Sequence, residues 1–309
     1  MDDSALRRYE MFAGADGSSA EGMRTIMGDF EGRGMVWQTP DIEFAAPQGR
    51  TLRLQLLRPA QHWYWEGRAP APLIVFVQGS SWTHPDMHGE LPQLARFARE
   101  GYVVASVEHR SSSEAAFPAC LVDVKSAIRF LRAHAAEYGI DPTRVAIWGT
   151  SSGGNLALLT AATRGQDEFE QGEYLDESSS VQAVVDFFGP SDPCEMMRLS
   201  GIAFEDLERD EYRIIGDLIG GVEGDARGRM ARLAPGGYLE EGMLLPPHLI
   251  MHGDCDTVVP FSQSLNYYRL LRERGQTAFL VKVCGAEHER RFWSDRVLDE
   301  VSAFLRAYL

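Results

Sequence analysis

The sequence predicts an α/β fold, a mostly parallel central sheet with helices on both faces and a small cap insertion. Three observations carry this. From Asp41 onward, short β-branched runs alternate with longer amphipathic stretches. Two of the runs, residues 73–77 and 145–148, are apolar throughout, as strands buried on both sides are. Residues 191 to about 245 then break the rhythm, with helical pieces and no clear strand.

Taken in order, strands are expected at 51–57, 73–77, 103–107, 145–148, 181–188, 248–252 and 279–283, and helices at 90–100, 117–138, 153–164, 262–274 and 292–308. The segment 117–138 shows the helical signal well, because Leu121, Val124, Ile128 and Leu131 recur at spacings of three and four. Gly139 stops that helix, with Asp141-Pro142 as a turn beyond it. Strands alternating with helices imply right-handed crossovers. The break at 191–245, helical over 204–219 and rich in acids, is inserted between two strands and reads as a cap over one end of the sheet. Residues 1–40 are rich in Gly, Ser and acids, with one short helix expected around 5–12. They read as an arm or flap, leaving 41–309 as a single domain.

Composition excludes several classes. Of 309 residues, 44% are hydrophobic, too many for a disordered chain of this charge. The 45 acids against 30 Lys and Arg give a net charge of −15, which repels nucleic acid and disfavours an anionic membrane surface. Much of this charge lies at 167–176 and 205–217, and reads as solubility with a bias against anionic substrates. No apolar run approaches 18 residues, and the start lacks a basic n-region with an apolar stretch behind it, so the expected location is cytoplasmic. Cys120, Cys194, Cys255 and Cys284 lie far apart without a C-x-x-C pair, implying reduced, mostly buried thiols rather than a disulfide scaffold or structural zinc. The H-x3-H spacing of His84 and His88 lacks a third ligand, so no metal and no cofactor is expected.

The chemistry concentrates at Gly149-Thr150-Ser151-Ser152-Gly153, directly after an expected strand and before an expected helix. A nucleophilic Ser there stands on a sharp turn, where side chains two residues either side would collide as the chain doubles back. Such a hydroxyl needs a base, and the base an orienting acid. His288 lies in the loop after the last strand, and Asp256 in the loop after 248–252. Both loops open on the edge that carries Ser151. Asp256 is favoured over Asp254, which is expected to tie down its own turn. His62, His109, His134, His248 and His252 read as core or surface residues. Strand 73–77 runs into Gln78-Gly79-Ser80-Ser81-Trp82, a turn of small residues able to aim N–H groups at an oxyanion together with Ser152 N–H. Trp82 would wall the acyl or alcohol pocket.

Through VFVQGSSW, the run from EHRSSSEAAF to IWGTSSGGN, HGDCDTVVP and GAEH, about three-quarters of the chain resembles carboxylesterases of the α/β-hydrolase superfamily. The branch is that of hormone-sensitive-lipase-like esterases and bacterial feruloyl and acetylxylan esterases. The resemblance implies Ser151 as nucleophile, Asp256 as acid, His288 as base, and Ser80 and Ser81 as donors in place of an H-G-G-G turn. Gln78 stands where that turn has His, two Ser replace Gly, and Ser152 stands where Ala is usual. The expected activity is cofactor-free hydrolysis of a small carboxylic ester through an acyl-Ser, of feruloyl, cinnamoyl or acetyl type. An arylformamidase or peptidase on the same triad is the alternative, with the aromatic run 62–65 and Trp293 as the binding cluster. A catalytically inert ligand-binding homologue is a third. A homodimer contact could form through the long C-terminal helix or the arm.

Overall fold

The computed structural model of the chain describes residues 18–26, 28, 34–60 and 69–309. The expected helix at 5–12 and the aromatic run 62–65 lie outside them. Among the described residues, eight strands form one sheet in the order β1-β2-β4-β3-β5-β6-β7-β8. They are β1 (Val36–Ala45), β2 (Leu52–Pro59), β3 (Ala71–Val77), β4 (Val103–Val107), β5 (Ile140–Thr150), β6 (Ala183–Phe187), β7 (His248–Gly253) and β8 (Ala278–Val283). β2 alone runs against the others; β3 to β8 are mutually parallel.

β1 has no counterpart among the expected strands, and the boundary set at residue 40 falls inside it. Its pattern is irregular for a physical reason. Pro40 and Asp41, the latter at φ 54°, interrupt the pairing between Thr39 and Ile42. A strand bulged at its centre loses the alternation that makes a strand readable.

The strands of the sheet centre alternate strictly. Leu73, Val75 and Val77 enter one core cluster, and Ile74 and Phe76 the other, all fully buried. The first cluster is closed by α2 (Ala119–Ala133), α3 (Ser152–Ala162) and α7 (Ser262–Glu273). The second is closed by α1 (Leu91–Arg99) and α8 (Asp295–Tyr308). Leu121, Val124, Ile128 and Leu131 of α2 pack into the first as their spacing predicts, and Gly139 at φ 69° ends the short helical turn Ala135–Tyr138 that follows. Residues 191–245 hold three short helices, α4 (Pro193–Leu199), α5 (Arg213–Leu218) and α6 (Ala226–Ala231), and two 3-10 turns. The helix expected over 204–219 is split into the 3-10 turn Phe204–Glu208 and α5.

The opposite face of α2 is not solvated. Lys125, Arg129 and Arg132, spaced along one side, are buried under the segment 163–180. Lys125 Nζ donates to Thr163 O (2.9 Å) and Glu170 Oε1 (2.7 Å), and Arg129 Nη1 to Glu170 Oε2 (2.9 Å). Arg129 also reaches the carbonyls of Gln171 and Glu173, and Arg132 those of Pro142, Ser178 and Ser180. Ser179 Oγ completes the set on Glu170. Burial pushes the Lys125 ammonium down, and the Glu170 carboxylate opposes it. Removing the carboxylate strands two cations. Glu170→Ala is therefore expected to lower stability by about 3 kcal/mol, the low end for breaking a buried pair, since Glu170 keeps some solvent contact. Urea denaturation measures this.

Candidate active site

β5 ends at Thr150 and α3 begins at Ser152, so Ser151 alone makes the turn, at φ 50° and ψ −123°. A non-glycine residue in this region costs ~1–3 kcal/mol and persists only where its surroundings over-determine it. They do here. A Cβ on Gly149 would lie 2.0 Å from Gly153 O, and one on Gly153 2.0 Å from Val77 O, so both must be glycine. Ser151 N donates to Phe187 O (2.9 Å) and Ser151 O accepts from Asn155 N (3.0 Å). Asn155 then sends its side-chain amide to Pro190 O and Leu233 O, both at 2.8 Å, tying α3 to the insertion.

The three residues expected as a triad meet. Ser151 Oγ is 3.0 Å from His288 Nε2, and His288 Nδ1 is 2.7 Å from Asp256 Oδ2. Asp256 Oδ1 accepts from the backbone N–H of Val258 (2.8 Å) and Val259 (2.9 Å). Burial raises the Asp256 carboxyl, but hydrogen bonds from His252, His288 and the Val259 amide outweigh it and hold the group well below the usual carboxylate range. The His288 ring lies edge-on to Phe188, centroids 4.7 Å apart. Asp254 accepts from Gly285 N (2.6 Å), so it joins the acid loop to the histidine loop rather than tying its own turn.

The turn after β3 differs in one respect from expectation. Ser80 N–H, expected to face an oxyanion, donates instead to Ser152 Oγ at 2.9 Å. The hydroxyl that stands where Ala is usual takes up this donor. Gly79 N donates likewise to Thr150 Oγ1 (2.8 Å), and a Cβ on Gly79 would lie 2.7 Å from that of Ser151. Ser80 Oγ donates to Thr83 O and Thr83 Oγ1 to Ser80 O, closing the turn. Ser81 and Trp82 then adopt left-handed backbone, at φ 53° and 58°. Among the described residues, the N–H groups of Ser81 and Ser152 have no protein acceptor and stay available to a developing anion.

Trp82 is buried, at 3% exposure, and walls a cavity of about 50 Å³ against Met196, Met197, Tyr212, Ile215 and Met230 of the insertion. The insertion thus covers the carboxyl end of β3 beside the oxyanion turn. Trp293, half-buried, packs against Trp148 and Phe187 on the margin of the second core cluster and does not line that cavity. Of the cysteines, only Cys120 is buried, its thiol pushed up to about 12 by burial; Cys255 and Cys284 are exposed, against the expectation of mostly buried thiols. Each sits on a loop at a sheet edge, where spacing says nothing of exposure.

Three residues that pattern reasoning passed over belong to this region. Phe188, at φ 45°, supports the His288 ring. His252, read as a core residue, is buried but touches Asp256 Oδ2 at 3.2 Å. Its signal was its place in the strand that feeds the acid loop. Asp186 pairs with Gly149 across β5 and β6 and is fully buried, accepting from Gly189 N at 3.0 Å. Burial pushes its carboxyl up to about 7, against the Gly189 amide, which lowers it. Asp186 therefore holds its proton in the fold at pH values where the unfolded chain has lost it. Its stabilising contribution is complete below about pH 4 and is lost as pH rises through about 7. Asp186→Asn keeps the acceptor and abolishes the titration. The variant's Tm is expected to gain on wild type between pH 4.5 and 8, whereas parallel Tm curves would contradict the placement.

The parallel sheet with Ser151, His288 and Asp256 gathered at its carboxyl edge defines the chain as an α/β hydrolase. Residues 64–271 match the BD-FAE family model, and the chain belongs to that family. Esterase LipQ of Mycobacterium tuberculosis is 29% identical over 77% of this chain and 53% of its own length. The chain spans about half the length of the curated relatives it matches. A truncated carbohydrate esterase from gut microbiota superposes with a TM-score of 0.72 at 29% identity, over 90% of this chain and 97% of that one. The native esterase Est2 of Thermogutta terrifontis gives a TM-score of 0.69 at 27% identity, over 86% of this chain and 91% of its own.

Proposed function

We propose that the protein hydrolyses neutral carboxylic esters of feruloyl, cinnamoyl or acetyl type through an acyl-Ser151 intermediate. The observation that carries this is the continuous relay from Ser151 Oγ through His288 to Asp256, at 3.0 and 2.7 Å. In this reading His288 Nε2 takes the Ser151 proton as the hydroxyl attacks the ester carbonyl. Asp256 holds Nδ1–H and stabilises the imidazolium. Ser81 and Ser152 N–H groups bind the oxyanion at the start of α3, where the helix dipole assists. His288 returns the proton to the leaving alcohol, and water, deprotonated by the same imidazole, releases the acid.

Two further observations favour this substrate class. The likeness to a carbohydrate esterase supports an acyl group carried on a sugar-type alcohol. The net charge of −15 disfavours anionic esters.

Ser151→Ala is expected to lower kcat on p-nitrophenyl acetate by roughly 10⁴- to 10⁶-fold, with reaction of wild-type Ser151 toward a fluorophosphonate probe lost in parallel. Wild-type turnover in that variant would refute the mechanism. A panel running from acetyl to methyl feruloyl esters, with a matched aryl formamide, assigns the acyl group; a preference for the amide would overturn the ester assignment. Ser152→Ala removes the acceptor of Ser80 N–H but keeps its own backbone donor. It is expected to lower kcat by about 3- to 10-fold with KM little changed, as the loss of one neutral hydrogen bond behind the oxyanion turn would do.

A further inference from the structure

We propose that His252 is a positioning residue for the triad acid, holding Asp256 Oδ2 so that it meets His288 Nδ1 in one geometry. The proposal rests on the ester-hydrolase reading above.

Two imidazoles converge on one carboxylate oxygen, His288 Nδ1 at 2.7 Å and His252 Nε2 at 3.2 Å. His252 Nε2 also lies 2.9 Å from Val259 O. Two acceptors at one ring nitrogen require that nitrogen to carry the hydrogen. Nδ1 of the neutral ring then accepts from the Ser264 hydroxyl at 2.7 Å. Ser264 belongs to the first turn of α7 and is itself buried. The tautomer is thus set from both sides, by a helix on one and the acid loop on the other.

The surroundings separate the two histidines by task. His288 keeps 16% of its side chain exposed, enough to exchange a proton with substrate and water. His252 is fully buried, with Phe188 and Phe261 edge-on to its ring at 6.3 and 5.6 Å. It has no route to substrate and no freedom to turn. What it offers is a fixed N–H. An ionised carboxyl accepts about four hydrogen bonds; Asp256 receives three, from Val258 N and Val259 N at Oδ1 and His288 Nδ1 at Oδ2, and His252 Nε2 stands 3.2 Å from Oδ2 on its remaining side. Rotating the carboxylate plane breaks bonds at both oxygens. Without His252, Oδ2 is held only by the imidazole it is meant to orient, and the Val259 carbonyl loses its partner.

The test uses the full-length protein and p-nitrophenyl acetate. His252→Leu is expected to lower kcat by about 10- to 100-fold at unchanged KM, since small misplacements of reacting groups cost that much. His252→Gln, which keeps an N–H near the same place, is expected to recover most of the loss. The deciding measurement is the same substitution made in an Asp256→Asn background. If His252 acts through Asp256, adding His252→Leu there costs nothing further. An equal loss in both backgrounds, or wild-type kcat in His252→Leu, overturns the proposal. Should His252→Leu fail to fold by circular dichroism, Ser264→Ala replaces it, with an expected 2- to 5-fold fall in kcat that vanishes in the Asp256→Asn background. Failure of the underlying reading looks different, because Asp256→Asn and Ser151→Ala would then both keep wild-type rates.

Discussion

The structure depends on a crossing of backbones at the carboxyl edge of the sheet. Gly149, Gly153 and Gly79 stand where a single methyl group would strike another chain segment within 2.0–2.7 Å. That closeness lets β5 reverse into α3 within one residue, and it lays the turn after β3 directly on Ser151. Because β3 and β5 are neighbours in the sheet, the turn Gln78–Trp82 meets Ser151 without a long reach. β6, on the other side, supplies the carbonyl that holds Ser151 N, and then Phe188 beneath the imidazole. Successive strands β7 and β8 deliver acid and base. Strain at one residue is thereby shared among its neighbours, and each of them also brings a residue to the Ser151–His288–Asp256 cluster.

Buried charge is handled in two contrasting ways. Asp256 is held well below the usual carboxylate range by two N–H donors of its own loop, the His288 ring and the nearby His252 imidazole. Asp186, a strand away, has one such donor and no partner for Oδ2 among the described residues, so burial wins and pushes its carboxyl up to about 7. The three cations of α2 are satisfied differently again, mainly by backbone carbonyls of the segment 163–180. The charge of −15 consequently has more than one role. Part of the acidic run at 167–176 is solvated surface, but Glu170 within it is an internal counter-ion.

Sequence patterns revealed the fold to the extent that burial follows periodicity. Strands with continuous apolar character were readable, β4 to the residue and β3 to within two residues of its start, as was the helix stop at Gly139. β1 escaped because its bulge at Pro40-Asp41 breaks alternation, and the insertion was readable only as an interruption, since its turns are too short to show a period. The triad residues were legible because strand-to-loop positions are fixed by the sheet. Side-chain partnerships were not. Nothing in the spacing says that Ser152 Oγ takes the Ser80 amide, or that the polar face of α2 lies under another segment. His252 shows the limit well: a lone histidine in an apolar strand is ordinarily a core residue, and this one is, but its ring nitrogen touches the acid.

Asn155 has a consequence of a different order. Its amide grips Pro190 O and Leu233 O while its own backbone N–H holds Ser151 O, so one side chain fastens the insertion to the turn that presents the nucleophile. The segment between β6 and β7 is therefore not an interchangeable module. Grafting a cap from a related enzyme would have to reproduce a carbonyl at the position of Leu233, or else leave a buried amide hydrogen without an acceptor directly behind Ser151. Changes to this segment are therefore better made one side chain at a time than by exchanging it as a block.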